Sequence, residues 1–479
     1  MKQDRQSYEC SIRLHTETKY RIFTRDKDFY KSLILLAIPI SLQNLITFAV
    51  NFADNVMIGS LGDHAVSGVY ICSQFQSVLQ MLIGGVEGTL LILSAQYWGK
   101  RDKQSIKYIS SIGMRFGLGV GFVMMAFGSL FPSQIMSLFT ADAGVIAEGA
   151  VYLRIIAFTY LLFPVSQILT ASMRAVETPK VGLYISIIAL FLNISLNYIF
   201  IFGKLGLPAM GVKGAAIATL LSRIVEMSFA VIYVLKVDKK LQLKPSDYLK
   251  INRTLLRDYV KYGIPVCGGS VVWSINMLAQ AKIMGYYDAS VIAAVSITGM
   301  LNSLVFMWTL GLSNAVGIIT GKTVGAGEYE KMKQYAITVQ VIFALIGLAS
   351  GGIVMLACEP FISLYNVSNE AMAYTRQLAS VLAITVMGQC YQAPCLGGLV
   401  KSGGDVSFVF KNDTIFVFLV VIPSALIAQR VFHAAPWVVF ACLKSDQVLK
   451  CFVALPKINS FNWMKNLTRN QEEIAAGKA

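Results

Sequence analysis

The sequence predicts an all-α membrane protein: twelve transmembrane helices in two six-helix bundles related by a pseudo-two-fold axis along the membrane normal. Three observations lead there. Of 479 residues 56% are hydrophobic and only 14% charged, whereas a soluble domain carries about 25% charged residues, and the mean hydropathy is +0.62. Apolar runs of the roughly 20 residues that cross a bilayer recur from Leu33 almost to the end. The second six runs also repeat the first six in register.

The spans fall at approximately 33–58, 66–97, 105–131, 147–173, 181–202, 212–235, 260–285, 290–321, 333–358, 371–400, 408–430 and 434–455. They divide the chain into an N-terminal tail (1–30), a first bundle (31–235), a linker (236–259), a second bundle (260–455) and a C-terminal tail (456–479). Every second loop is basic: Lys100, Arg101 and Lys103 follow the second span, Arg174 and Lys180 the fourth, and a run from Lys236 to Lys261 the sixth. Lys322, Lys331 and Lys333 follow the eighth, and Lys457, Lys465 and Arg469 the twelfth. The alternate loops are short and hold mainly acids, such as Asp63, Asp142, Asp288, Glu359 and Glu370. By the positive-inside rule both termini are expected in the cytoplasm. About 30 polar residues precede the first apolar run, so no signal peptide is expected. The net charge of +15 is spread over these loops rather than gathered on one soluble face, which excludes a nucleic-acid partner.

An offset of 226 (Pro39 to Pro265) aligns the halves without a gap as far as Gly99 and Gly325. "AIPISLQ" lies over "GIPVCGG", and "ADNVMIG" over "AQAKIMG". Six spans separate equivalent points, so both halves have the same orientation. The axis relating them runs along the membrane normal, and a substrate cavity is expected between them. Two bundles able to rock about a central site point to transport by alternating access.

Ionisable groups at membrane depth are costly and functional by default. Asp54, on the first span, is the clearest. Asn44, Thr47, Asn51 and Asp54 are spaced three, four, three, one polar stripe of a helix that must face protein or water. The plain alternative is hydrogen bonding between neighbouring helices. The fifth span carries Asn193 and Asn197 at i, i+4; the sixth carries Thr219, Ser222, Arg223 and Glu226 on one face, of which Arg223 and Glu226 read as a structural pair. One carboxylate among neutral oxygens suits a hard monovalent cation or an exchangeable proton, so the coupling ion is Na+ or H+. No other metal and no cofactor is expected. Glu87, on the second span, has two readings: a role in the cavity, or a salt bridge with Arg115 or another basic group.

In the second half the stripe becomes Ser270, Trp273, Met277 and Gln280, and the acid is gone. With Met300, Met307, Trp308, Met387 and Tyr391 these residues form a Met- and aromatic-rich set. Such a set lines an adaptable apolar cavity or simply packs helices. "GIITGKT" at Gly317–Thr323 has only three residues between its glycines and ends a membrane span, so it is no phosphate-binding loop. Three histidines and eight cysteines without ligand spacing leave no zinc site or catalytic triad. An enzyme is not expected.

"IPISLQNLITFAVNFADNVMIGSLG", with its early proline and its Asp five residues before Gly, resembles the first span of the multidrug and toxic compound extrusion (MATE) family. "AQYWGKRD", "MRAVETPK", "VKSGGDV" and "LNISLNYIFIFGKLGLPAMGVKGAAIAT" extend the resemblance over about residues 30–455. The resemblance, which is to bacterial members, implies a secondary antiporter of a bacterial inner membrane that exports small organic, often cationic, drugs or metabolites in exchange for Na+ or H+, working as a monomer among membrane lipids. It also implies a coupling site at Asp54, Asn193, Asn197 and Thr219. Asn197 departs from the family, which usually has Asp there, and carboxylates that some members carry near Trp273 and Cys390 are absent. A lipid-linked precursor flippase of the same superfamily is the alternative. Such proteins typically add two spans and a strongly cationic cavity, neither of which is seen here.

Overall fold

The computed structural model describes residues 23–363 and 368–476. Expectations placed on residues 1–22 of the N-terminal tail, including Cys10, His15 and Arg21, lie outside the described residues. The first half runs through α1 (Lys27–Gly59), α2 (Asp63–Gly99), α3 (Lys103–Leu130), the short α4 (Pro132–Ser137), α5 (Ala143–Ile156), α6 (Thr159–Ala175), α7 (Lys180–Phe202) and α8 (Gly211–Ile232). The second half has α9 (Arg253–Met284), α10 (Ala289–Gly325), α11 (Tyr329–Ile362), α12 (Asn369–Ala393), α13 (Val406–Ile415), α14 (Ile422–Arg430), α15 (Pro436–Leu443) and α16 (Ser445–Asn459). A last turn, α17 (Gln471–Ala476), ends the described chain. Acids in the loops are helix caps: Asp102, Asp142 and Asp288 accept hydrogen bonds from the first-turn N–H groups of α3, α5 and α10.

Twelve spans result when α5 pairs with α6, α13 with α14 and α15 with α16. Among the described residues eight helices are long and apolar enough to cross a membrane alone, and the bent α5–α6 pair makes nine. The other three, α9, α12 and α15–α16, are more polar, and several of their polar groups are turned into the protein, where hydrogen bonds replace those of water. Gln392 Nε2 on α12 donates to Gln447 Oε1 on α16 at 2.9 Å. Lys450 Nζ on α16 reaches Asp413 Oδ1 at 2.8 Å and Asp446 Oδ2 at 3.2 Å, all within the second half.

The fourth span, read from sequence as one run, bends by 47° between α5 and α6. Pro164 has no N–H to give the Tyr160 carbonyl one turn back, so the helical ladder fails at that point. Gly121 of α3 fills the space, so close to the Tyr160 carbonyl that a side chain there would overlap it.

The pseudo-two-fold axis shows in reciprocal contacts. Helix α1 packs on α10 as α9 packs on α2, and α2 meets α10. Gly99 abuts the carbonyl of Lys322, and its repeat equivalent Gly325 abuts the carbonyl of Gln96, which is the equivalent of Lys322. Gly85 against Cys267 and Gly311 against Ser41 are a second such exchange.

These approaches lie toward the membrane face that holds both ends of the described chain. The hydrophobic clusters on that tail side mix the halves: Phe29, Leu33 and Ile40 of α1 pack with Ile318, Phe343 and Trp463, while Leu255 and Tyr259 of α9 pack with Leu90 and Ile109. On the opposite side each cluster belongs to one half. The molecule is therefore a V, joined at the tail side and open away from it.

Candidate functional site

Asp54 lies five residues from the end of α1, in the part of the helix beyond the joined tail side. Its Oδ1 accepts a hydrogen bond from Asn197 Nδ2 of α7 at 2.5 Å, and the same amide donates to Asn193 Oδ1 at 3.2 Å. Spacing of four residues places Asn193 and Asn197 on one face of α7, both buried. This leaves Asn197 Oδ1 buried with no hydrogen-bond partner among the described residues. A buried acceptor with no protein partner has room for a water, a donor or an ion. The amide orientation follows from Asp54, which accepts and does not donate when ionised.

Thr219 of α8 is linked to Asp54 through a tyrosine. The Tyr152 hydroxyl from α5 bonds to Thr219 and lies near enough to Asp54 and Arg223 to interact with their charges. Sequence reasoning missed Tyr152, because a single tyrosine in an apolar span looks like packing until the fold turns it inward. Arg223 lies near enough for its charge to act on this acid. It is shared: its Nη1 donates to Glu226 Oε2 at 2.6 Å, and its guanidinium stands over the Phe163 ring at 5.4 Å. The local balance is two carboxylates against one guanidinium, with neutral oxygens around Asp54.

The residues of the first-span stripe differ in burial. The Asn44 Nδ2 is buried without a partner, whereas Thr47 and Asn51 are exposed, and the Thr47 hydroxyl bonds back to the Gln43 carbonyl of its own helix. Only Asp54 meets α7 through a side-chain hydrogen bond. Glu87 is not paired with Arg115. Its Oε1 takes Arg174 Nη1 at 2.8 Å, both largely buried, while Arg115 holds the carbonyls of Tyr248 and Leu249 in the linker. Arg174 is brought close because α6 packs along α2.

In the second half Trp273 and Met277 are exposed and Gln280 is half-buried; Trp273 stacks on Phe306 at 6.4 Å. Met387 and Tyr391 serve packing instead: Met387 fills the space beside Gly347 and Gly351 of α11, and the Tyr391 hydroxyl donates to Gln340. No set of three or more His, Cys, Asp or Glu able to hold a metal ion occurs among the described residues.

The family model MatE matches residues 39–199 and again 265–427, one copy in each half. Probable multidrug resistance protein NorM of Halalkalibacterium halodurans is 24% identical over 453 residues, covering 93% of this chain and 96% of that protein. Probable multidrug resistance protein YoeA of Bacillus subtilis is 26% identical over 311 residues, 64% of this chain and 66% of that protein. Among solved structures, an outward-facing multidrug resistance MATE family transporter of the MOP superfamily superposes with a TM-score of 0.78 at 18% identity, over 92% of this chain and 99% of that one. A duplicated match along both halves, relatives of the same length and the same twelve-helix V place the chain in the MatE family of membrane transporters.

Proposed function

We propose that the protein is a secondary antiporter that exports organic, often cationic, compounds from a bacterial cytoplasm in exchange for Na+ or H+. The observation that carries this reading is the half-buried Asp54 carboxylate, held by Asn197, whose own carbonyl oxygen has no partner. That pair offers oxygen ligands to a hard monovalent ion, or an acid to a proton, within the half that faces the open end of the V. The relatives' names as multidrug resistance proteins support the substrate class.

The positive-inside rule puts the basic tail side in the cytoplasm, so the V opens outward. An ion entering from outside reaches Asp54; its neutralisation loosens the hold of Asn197 on α1. The ion shifts the equilibrium between states only by its difference in affinity for them. Exposed Trp273 and Met277 on α9 suit the apolar part of a substrate.

The test is efflux of a fluorescent organic cation from proteoliposomes under an imposed Na+ or H+ gradient. Asp54→Asn should abolish gradient-driven efflux while leaving substrate binding, and Asn197→Leu should weaken it. Full gradient-driven efflux by Asp54→Asn would overturn the coupling assignment. Whichever single gradient drives the wild type names the ion.

A further inference from the structure

A cavity of about 360 Å³ opens on the tail side where the two halves meet. Its walls include Leu35 and Leu36 of α1, Glu177 and Lys180 beside α6 and α7, Lys240 of the linker and Lys322 of α10. We propose that this cavity binds the phosphate headgroup of an anionic lipid, and that the bound lipid favours the tail-closed form. The inference requires only that the chain is embedded in a membrane, and does not depend on the antiport reading.

Charge comes first. Three lysines face one glutamate, an excess of two positive charges. Glu177 is held by its neighbours: its carboxylate takes Lys322 Nζ at 2.8 Å and Trp98 Nε1 at 3.1 Å, and its carbonyl takes Lys240 Nζ at 2.8 Å. Its backbone sits at φ +56°, a left-handed conformation that an ordinary side chain adopts only when its surroundings impose it. The turn that presents the lysines is thereby fixed before any ligand arrives. Lys180 remains exposed, with its charge directed to solvent or ligand.

A free phosphate would satisfy the charge but not the flank. Ile34, Leu35 and Ile38 form an exposed apolar stripe along α1 beside the cavity, and Leu45 continues it two turns on. A headgroup on the lysines would lay its acyl chain along that stripe. The lysines also come from different bodies, Lys180 from the first half, Lys322 from the second and Lys240 from the linker. They stand together only while the halves are joined, so an anion spanning them binds the tail-closed form more tightly and shifts the balance toward it.

The test uses the full chain in nanodiscs of phosphatidylcholine containing about one-fifth phosphatidylglycerol. Native mass spectrometry should find phosphatidylglycerol retained in clear preference to phosphatidylcholine. Each lysine near a membrane surface contributes roughly fivefold to anionic-lipid affinity. Lys180→Gln should therefore cut the preference about fivefold, and Lys180→Gln with Lys240→Gln further. Because Lys180 is exposed, the single variant tests the site even if the double variant misfolds. Equal retention of the two lipids by the wild type, or an undiminished preference in Lys180→Gln, would refute the proposal. Displacement of the lipid by millimolar glycerol phosphate would refute the acyl-chain part and leave a soluble anion as the ligand.

Discussion

Replacing Gly325 by alanine should prise open the tail side of the V. Its Cα lies against the Gln96 carbonyl so closely that a methyl group would overlap the oxygen. Carbon and oxygen need about 3.2–3.5 Å, so α2 and α10 must separate by roughly 1 Å. Neither atom can turn away, since one is a Cβ and the other backbone. Overpacking of this kind costs about 1–3 kcal/mol, and the cost falls on the form in which these ends touch. A tail-open form in which they separate does not carry it. Two kcal/mol changes the ratio of the two forms by about thirtyfold, since 1.4 kcal/mol is tenfold. Paired fluorophores at positions 103 and 328, which flank one groove between the halves, should report a longer mean distance in Gly325→Ala. By the pseudo-symmetry Gly99→Ala should act alike, and the double variant should do little more than either, because the first substitution has already moved the helices. Gly84→Ala, on α2 with nothing within 4 Å of the added methyl, is the control and should change nothing. Wild-type distances and Tm in Gly325→Ala, or an equal response in Gly84→Ala, would show that this contact does not control closure.

Two other outcomes can be checked by thermal unfolding in detergent. Arg174→Met strands the Glu87 carboxylate between α2 and α6 and should cost about 3 kcal/mol, whereas Glu87→Gln with Arg174→Met should recover most of it, because breaking a buried pair costs more than replacing it. In the loop before α13, burial pushes the Asp405 carboxyl up, but hydrogen bonds and charge from Lys457 at 2.7 Å and Lys465 at 2.8 Å outweigh it and hold the group below its usual range. A depressed acid stabilises the fold above its unfolded value of about 3.9 and loses that contribution as pH falls through the folded value. Tm should therefore fall between about pH 4 and lower pH in the wild type, with a smaller acid-side loss in Asp405→Asn.

Much of the fold is legible in the residues. Apolar runs mark the spans because each must satisfy its backbone internally in lipid, and an unbroken register from Pro39/Pro265 to Gly99/Gly325 reveals the duplication. The helices begin and end within a few residues of the apolar runs, extended by polar first turns such as Lys27–Ser32. The C-terminal tail is less legible. Trp463 is fully buried, the Leu467 N–H donates to Gln96 Oε1 at 2.7 Å, and Arg469 grips Asp258 with two hydrogen bonds of 2.8 and 2.9 Å. The segment that reads in sequence as a C-terminal tail forms a strap over both halves, and its partners Gln96 and Asp258 are hundreds of residues away in sequence.

The same limit applies at the site. Asp54, Asn193, Asn197 and Thr219 stand out as polar groups in apolar helices, because placing such groups in lipid is costly wherever they fall. Sequence alone thus determined the twelve spans, the duplicated architecture and the lone first-span acid. Only the tertiary structure decided that Asn197 holds Asp54, that Tyr152 joins Thr219, that Arg174 rather than Arg115 answers Glu87, and that Thr47 and Asn51 are exposed while Asn44 and Asp54 are partly buried. Periodicity gives the face of each helix but not its rotation against its neighbours. That rotation is set by close contacts such as Gly99 on Lys322 and Gly325 on Gln96, which bring together helices far apart along the chain.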